Sequence, residues 1–222
     1  ARATAAQLGV TLEGVLDAVP LAAAADAWLV PATLAGEAVI CLVQAGARGL
    51  TVDARPLADG SANARLDLGA CTARVLARGE DARAALQAAR VAAELASSAY
   101  QLGLASTLFE MTVAYVGTRR QFGQAIGSFQ SLQHRLVDAY CALRLAEAAV
   151  AECVAAVDGG LVNDAALFQA SRARQRSGEA LLDIAREAIQ LHGAIGYTDE
   201  CDVGSCVKIG RASCRERVCY VV

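Results

Sequence analysis

The sequence is poor in the residues that mark several classes of function. It has two histidines, one tryptophan and one methionine, and its 20 basic residues do not outnumber its 23 acidic ones. A net charge of −3 lacks the basic footprint of a nucleic-acid binder. No apolar run is long enough to span a bilayer. The best stretch, Ala18 to Gly36, is broken by Pro20, Asp26 and Pro31. No basic, apolar signal peptide opens the chain, so a cytoplasmic location is expected. The sole methionine is Met111, so the chain is expected to begin inside a longer protein.

Eight cysteines are present, but their spacing argues against a metal or disulfide framework. Cys41, Cys71, Cys141 and Cys153 stand singly, and Cys201, Cys206, Cys214 and Cys219 gather only at the end. A zinc site would use close pairs matched by further His or Cys. No metal is expected, and the thiols read as buried and reduced.

What is present divides into two patterns. Up to about residue 80, short β-rich runs (Val10 to Leu16, Ala27 to Pro31, Ala38 to Gln44, Gly49 to Ala54, Arg65 to Leu68) are punctuated by Gly36, Gly46, Gly60 and Gly69. They predict part of an antiparallel β-barrel or sandwich. From residue 81 to 208 the period becomes helical. One helix is predicted over Ala82 to Val116. A second starts at Ser128 as N-cap and runs to about Val157. A third starts at Asn163 or Asp164 and ends near His192, with Gly193 as its stop. Long antiparallel helices with short links make a four-helix-bundle type of domain, so the fold class is multi-domain, β then α.

Residues 209–222 look foreign. Nineteen of the 20 basic residues are arginine, and the one lysine, Lys208, directly precedes Ile209-Gly210-Arg211-Ala212-Ser213-Cys214-Arg215-Glu216-Arg217-Val218. That decapeptide matches a translated sequencing-library adapter. Residues from Ile209 onward are therefore expected not to be native protein.

The run Tyr115 to Asp138, Y-V-G-T-R-R-Q-F-G-Q-A-I-G-S-F-Q-S-L-Q-H-R-L-V-D, links two helical patterns. Arg119 and Arg120 can meet a diphosphate with forked guanidinium groups. Gly123 permits close backbone approach. The Gln130 amide can donate and accept, as an adenine edge or ribose requires. On spacing alone, the same run serves equally as a polar loop with solvated arginines.

The run resembles the signature of acyl-CoA dehydrogenases, R-x-Q-F-G-x-x-I-x-x-F-Q-x-x-x-H-x-L-x-D. Every fixed position matches: Arg119, Gln121, Phe122, Gly123, Ile126, Phe129, Gln130, His134, Leu136 and Asp138. A second family pattern, Q-x-H-G-G-x-G-[FY]-[TN]-x-E, is met by Gln190 to Glu200, with Ala194 replacing its second glycine. The resemblance covers about Val10 to Ser205. It implies FAD, an acyl-CoA thioester and α,β-dehydrogenation with hydride transfer to flavin N5. It also implies a tetramer with FAD bound across a subunit interface, and an electron-transfer flavoprotein as acceptor. In that picture Arg119, Gln121, Phe122, Phe129 and Gln130 contact a neighbouring subunit's FAD. Gln190, Leu191, His192, Gly193 and Ala194 line its adenosine end. His134 and Asp138 read as packing and polar contacts.

The resemblance has departures. The family's base is a carboxylate over the flavin. In many members it follows the second pattern by about a dozen residues, inside the foreign-looking tail. In others it lies on the first bundle helix, where counting back from Arg119 reaches Ala93, beside Glu94. Glu94 is the candidate base, needing a register shift to serve. Many members also carry W-[IV]-[ST] in the β domain, where Ala18-Val19-Pro20 stands here. These departures keep open a non-catalytic partner subunit, paired with a paralogue that does the chemistry. Without an N-terminal helical domain, the 222 residues alone are expected to be inactive.

Overall fold

The structure is a computed structural model that describes residues 1–6, 9–57, 60–161, 163–198 and 200–215. The described residues fall into two compact units, one through Arg90 and one from Val91.

The first unit is built from β1 (Arg2–Ala6), β2 (Gly9–Pro20), β3 (Ala27–Leu34), β4 (Glu37–Gln44), β5 (Leu50–Pro56) and β6 (Ala62–Arg78). The order is β2-β1-β3-β4-β6-β5, and a further β2–β6 pairing closes five of the strands into a ring. All pairings are antiparallel except the short β1–β3 contact. Closure leaves fewer open edges than a flat sheet of the same strands. Alternation places Leu12, Val30, Val43, Leu66 and Leu68 inward, with Trp28, Cys41 and Cys71 in the same core. Between β3 and β4, Ala35 and Gly36 both take positive φ, a tight hairpin turn that matches strand twist.

Two sequence expectations are corrected in this unit. The run Arg65 to Leu68 is only the middle of β6, which spans 17 residues. Its first half pairs with β5 and β2, and its second half pairs with β4 and β2. Gly69 lies within the strand and does not end it. β1 was not anticipated, because its Ala-rich sequence carries no β-branched signal beyond Thr4.

The helices are α1 (Gly79–Thr118), α2 (Gln130–Asp158), α3 (Asp164–His192) and α4 (Val203–Arg215). The bundle-type domain is as the helical period predicts. Asn163 caps α3, its Oδ1 accepting from the Ala165 and Ala166 amides. Alanines let the helices approach closely: Ala149, Ala166, Ala170 and Ala173 are buried together with Val91, Val150 and Cys153. A second cluster gathers Leu108, Leu143, Leu181, Ile184, Val203 and Val207. Among the described residues no helix is long and apolar enough to cross a membrane.

Ser128 is not the N-cap of α2. Phe129 occupies that position, with no side-chain cap among the described residues. Ser128 Oγ instead donates to the Ala125 carbonyl at 2.7 Å, closing a 3-10 turn over Ile126–Ser128. The expectation failed because a serine that can bond backward within a turn is not free to face the helix.

Candidate functional site

Between α1 and α2 the chain folds into a miniature hairpin, β7 (Arg120–Gln121) and β8 (Gln124–Ala125). Its two central residues, Phe122 and Gly123, have φ of 53° and 82°. This is the geometry that favours glycine at both positions, so Phe122 sits in a costly left-handed conformation. Its ring is 90% exposed and meets Phe129 edge to face, 6.1 Å between centroids. A strained, exposed aromatic at a hairpin tip is better suited to contacting something outside the chain than to packing.

The turn is held at its base. The Arg119 amide donates to the Tyr115 carbonyl and the Ile126 amide to the Arg119 carbonyl, both at 2.8 Å. A Cβ at Gly127 would stand 3.0 Å from the Val116 carbonyl oxygen, so glycine lets the turn press on the end of α1. The arginines differ. Arg120 donates back to the Gly123 carbonyl at 3.3 Å. The Arg119 guanidinium has no carboxylate partner among the described residues. Arg119 is therefore the arginine available to an outside anion. Gln121, Gln124 and Gln130 are exposed beside it. The amides of Gln130 and Ser131 open α2 without intrahelical acceptors.

The second predicted segment lies at the same end of the helical unit. α3 ends at His192, and Gly193 leaves it with φ 65° and ψ −140°, a combination reserved in practice for glycine. Nothing stands within 4 Å of a Cβ built at Gly193. Gln190 and Ala194 are exposed, while Leu191 and His192 are buried. His192 Nδ1 lies 2.8 Å from the Ala188 carbonyl. With the proton assigned to Nδ1 for that bond, Nε2 is left as an acceptor. The His192 ring stacks on Tyr115, 4.3 Å between centroids, and the Tyr115 hydroxyl donates to the His192 carbonyl at 3.4 Å.

The structure thus brings Arg119, Gln121, Phe122, Phe129 and Gln130 to the same end as Gln190, Leu191, His192, Gly193 and Ala194. Tyr115, which joins them, has no role in the sequence reading; its one signal is an aromatic one helical turn before Arg119. Glu94 is elsewhere. It lies 21 positions before Tyr115 on the same helix, about 30 Å along the axis at 1.5 Å per residue. It is 9% exposed and pairs with Arg174 at 3.3 Å. Asp199 of the second pattern, and residues 216–222 of the foreign-looking tail, lie outside the described residues. Residues through Arg215 continue α4.

This end of the helical unit offers a guanidinium with no carboxylate partner among the described residues, exposed carboxamides, an exposed ring and a glycine with open space around it. That set suits a diphosphate joined to a planar heterocycle. Among the described residues no group of His, Cys, Asp or Glu is placed to hold a metal ion.

Comparison with known proteins agrees with this reading of the fold. The description of the acyl-CoA dehydrogenase C-terminal domain matches residues 79–212. The acyl-CoA dehydrogenase IpdE2 of Mycolicibacterium smegmatis is 41% identical over 111 residues, 50% of this chain and 33% of that protein. The acyl-CoA dehydrogenase FadE27 of Mycobacterium tuberculosis is 30% identical over 202 residues, 85% of this chain and 52% of that protein. The crystal structure of the ChsE4-ChsE5 complex from Mycobacterium tuberculosis superposes with a TM-score of 0.85 at 27% identity, covering 96% of this chain and 57% of that one. The chain belongs to the acyl-CoA dehydrogenase family. It spans between a third and somewhat over half of the length of these proteins.

Proposed function

We propose that the chain is part of an FAD-dependent acyl-CoA dehydrogenase, and that the end carrying Arg119 and Gly193 holds the FAD of a neighbouring subunit. The observation that carries this reading is Arg119 itself. It is the family signature's arginine, exposed and without a carboxylate partner among the described residues, at the base of a strained aromatic turn. Its guanidinium would bind the diphosphate by paired N–H donors. Phe122 and Phe129 would cover the adjoining surface, and Gln121 and Gln130 would bond ribose or adenine edges. Gly193 and Ala194 would leave room for the adenine.

Bound FAD would accept a hydride at N5 as the acyl-CoA thioester loses its α-proton to a carboxylate. Glu94 is the candidate for that carboxylate in this chain, and its pairing with Arg174 favours a packing role instead. Sharing of FAD between subunits requires an oligomer, either of this chain with itself, for which a tetramer is the family-based expectation, or of this chain with a paralogue. An electron-transfer flavoprotein is the acceptor that the resemblance implies.

A second reading, a non-catalytic partner of a paralogue, is favoured by the segment Ala18-Val19-Pro20. Ala18 has φ 56° and Leu21 has φ 54°, and the β2–β6 register slips between Leu16 and Val19. The backbone is thus irregular where many relatives place a tryptophan. Similarity to a ChsE4-ChsE5 complex fits either subunit role.

The two readings separate when the complete gene is expressed alone and beside its neighbouring paralogue. A yellow protein that bleaches with acyl-CoA supports the enzyme. A protein that is yellow only with the paralogue overturns the solo-enzyme reading.

A further inference from the structure

We propose that Tyr115 is a positioning residue that ties the arginine-bearing turn and the Gly193 segment into one clamp. The proposal rests on the flavin reading above and adds a residue and a mechanical role to it.

Tyr115 acts on both sides. Its carbonyl accepts the Arg119 amide at 2.8 Å and the Thr118 hydroxyl at 3.1 Å, so Arg119 hangs one helical turn beyond it. Its ring stacks on His192 at 22° between planes. Its hydroxyl donates to the His192 carbonyl at 3.4 Å, the group at which α3 gives way to the 3-10 turn Gly193–Tyr197. On the other edge of the same peptide plane, the Gly193 amide donates to the Ile189 carbonyl. Because the peptide is planar, these two bonds fix the His192–Gly193 plane and hence the direction in which the chain leaves α3. A Cβ at Gly196 would stand 3.1 Å from His192 Cβ, so the following turn closes on the remaining side of His192. Shifting the Tyr115 ring would move both ligand-facing segments.

The test compares Tyr115→Leu, which removes the stack and the hydroxyl, with Tyr115→Phe, which keeps the stack. Val150→Ala, a core change in the separate cluster with Val91 and Ala170, controls for loss of stability alone. Amide hydrogen exchange is followed in the flavin-free protein from the complete gene, and FAD retention is followed by release of flavin fluorescence. Tyr115→Leu is expected to speed exchange in both residues 119–126 and residues 190–198. It is also expected to weaken FAD retention about tenfold, the range of a lost aromatic pair. Tyr115→Phe should stay within about threefold of the wild type. Arg119→Ala should matter less in the Tyr115→Leu background than alone, as for coupled neighbours.

Faster exchange confined to one segment, or FAD retention equal to wild type or to the Val150→Ala control, overturns the proposal. If Tyr115→Leu shows the joint exchange response but the wild type retains no FAD, the flavin reading is overturned, and with it the role in cofactor positioning. These two failures are distinct because exchange is read without flavin.

Discussion

Arg174 Nη1 stands 3.3 Å from Glu94 Oε2, joining α3 to α1 inside the helical unit, with side chains 20% and 12% exposed. Ser98 Oγ donates to the Glu94 carbonyl at 2.7 Å, so the same turn of α1 is polar but buried. Removing one member of a mostly buried pair leaves the other charge in a poor environment. Arg174→Met should lower unfolding free energy by about 2–3 kcal/mol, and the shape-preserving Glu94→Gln by about 1 kcal/mol. The double variant should cost less than the sum. Urea denaturation measures all three, and strict additivity would show that the pair carries no coupling.

The turn at Phe122 predicts a conflict between stability and binding. Asparagine tolerates the left-handed region better than phenylalanine. Phe122→Asn should therefore leave stability unchanged or raise it by about 0.5 kcal/mol, while reducing bound flavin. Thermal melts and flavin content report the two halves independently. A clear fall in melting temperature would mean that the exposed ring packs within the chain after all.

Asn163 gives a purely structural prediction. Its Oδ1 accepts two amides at the start of α3, so Asn163→Ala should cost about 1 kcal/mol and Asn163→Asp close to nothing. Denaturant midpoints check this, and flavin content should not change in either variant.

The cysteines respond differently to reagents and to pH. Burial pushes the thiols of Cys41, Cys71 and Cys153 above their usual range, with the Arg78 charge partly opposing this at Cys41. Cys141 is exposed. Alkylating reagents should modify Cys141 first and the three buried thiols only on unfolding. The folded state keeps these protons at a pH where the unfolded chain releases them. Their stabilising contribution is therefore whole below the ordinary thiol range and declines as pH rises above about 8.5. Denaturation across that range tests the sign; stability that climbs with pH would contradict it.

Much of this organisation was legible in the sequence, for physical reasons that vary by element. The helical period and the Asn163 and Gly193 boundaries were readable because caps and stops are local chemistry. Ser128 misled because its hydroxyl bonds backward to Ala125, a choice set by the turn. The length of β6 was hidden because three partner strands define it, and no stretch of its own sequence marks where it ends. The segments around Arg119 and Gly193 stood out through their match to the two family signatures, since on spacing alone the first reads equally as a polar loop. Tyr115 did not, since its role depends on a ring 77 residues away.

Flavin content is the most direct test of the central claim, that Arg119 and its turn hold FAD. The protein from the complete gene, alone or with its neighbouring paralogue, should purify with bound flavin. Arg119→Ala should lose most of it while keeping the helical far-ultraviolet signal. A wild type without flavin in either setting, or an Arg119→Ala variant that retains it as tightly as wild type, would contradict the account.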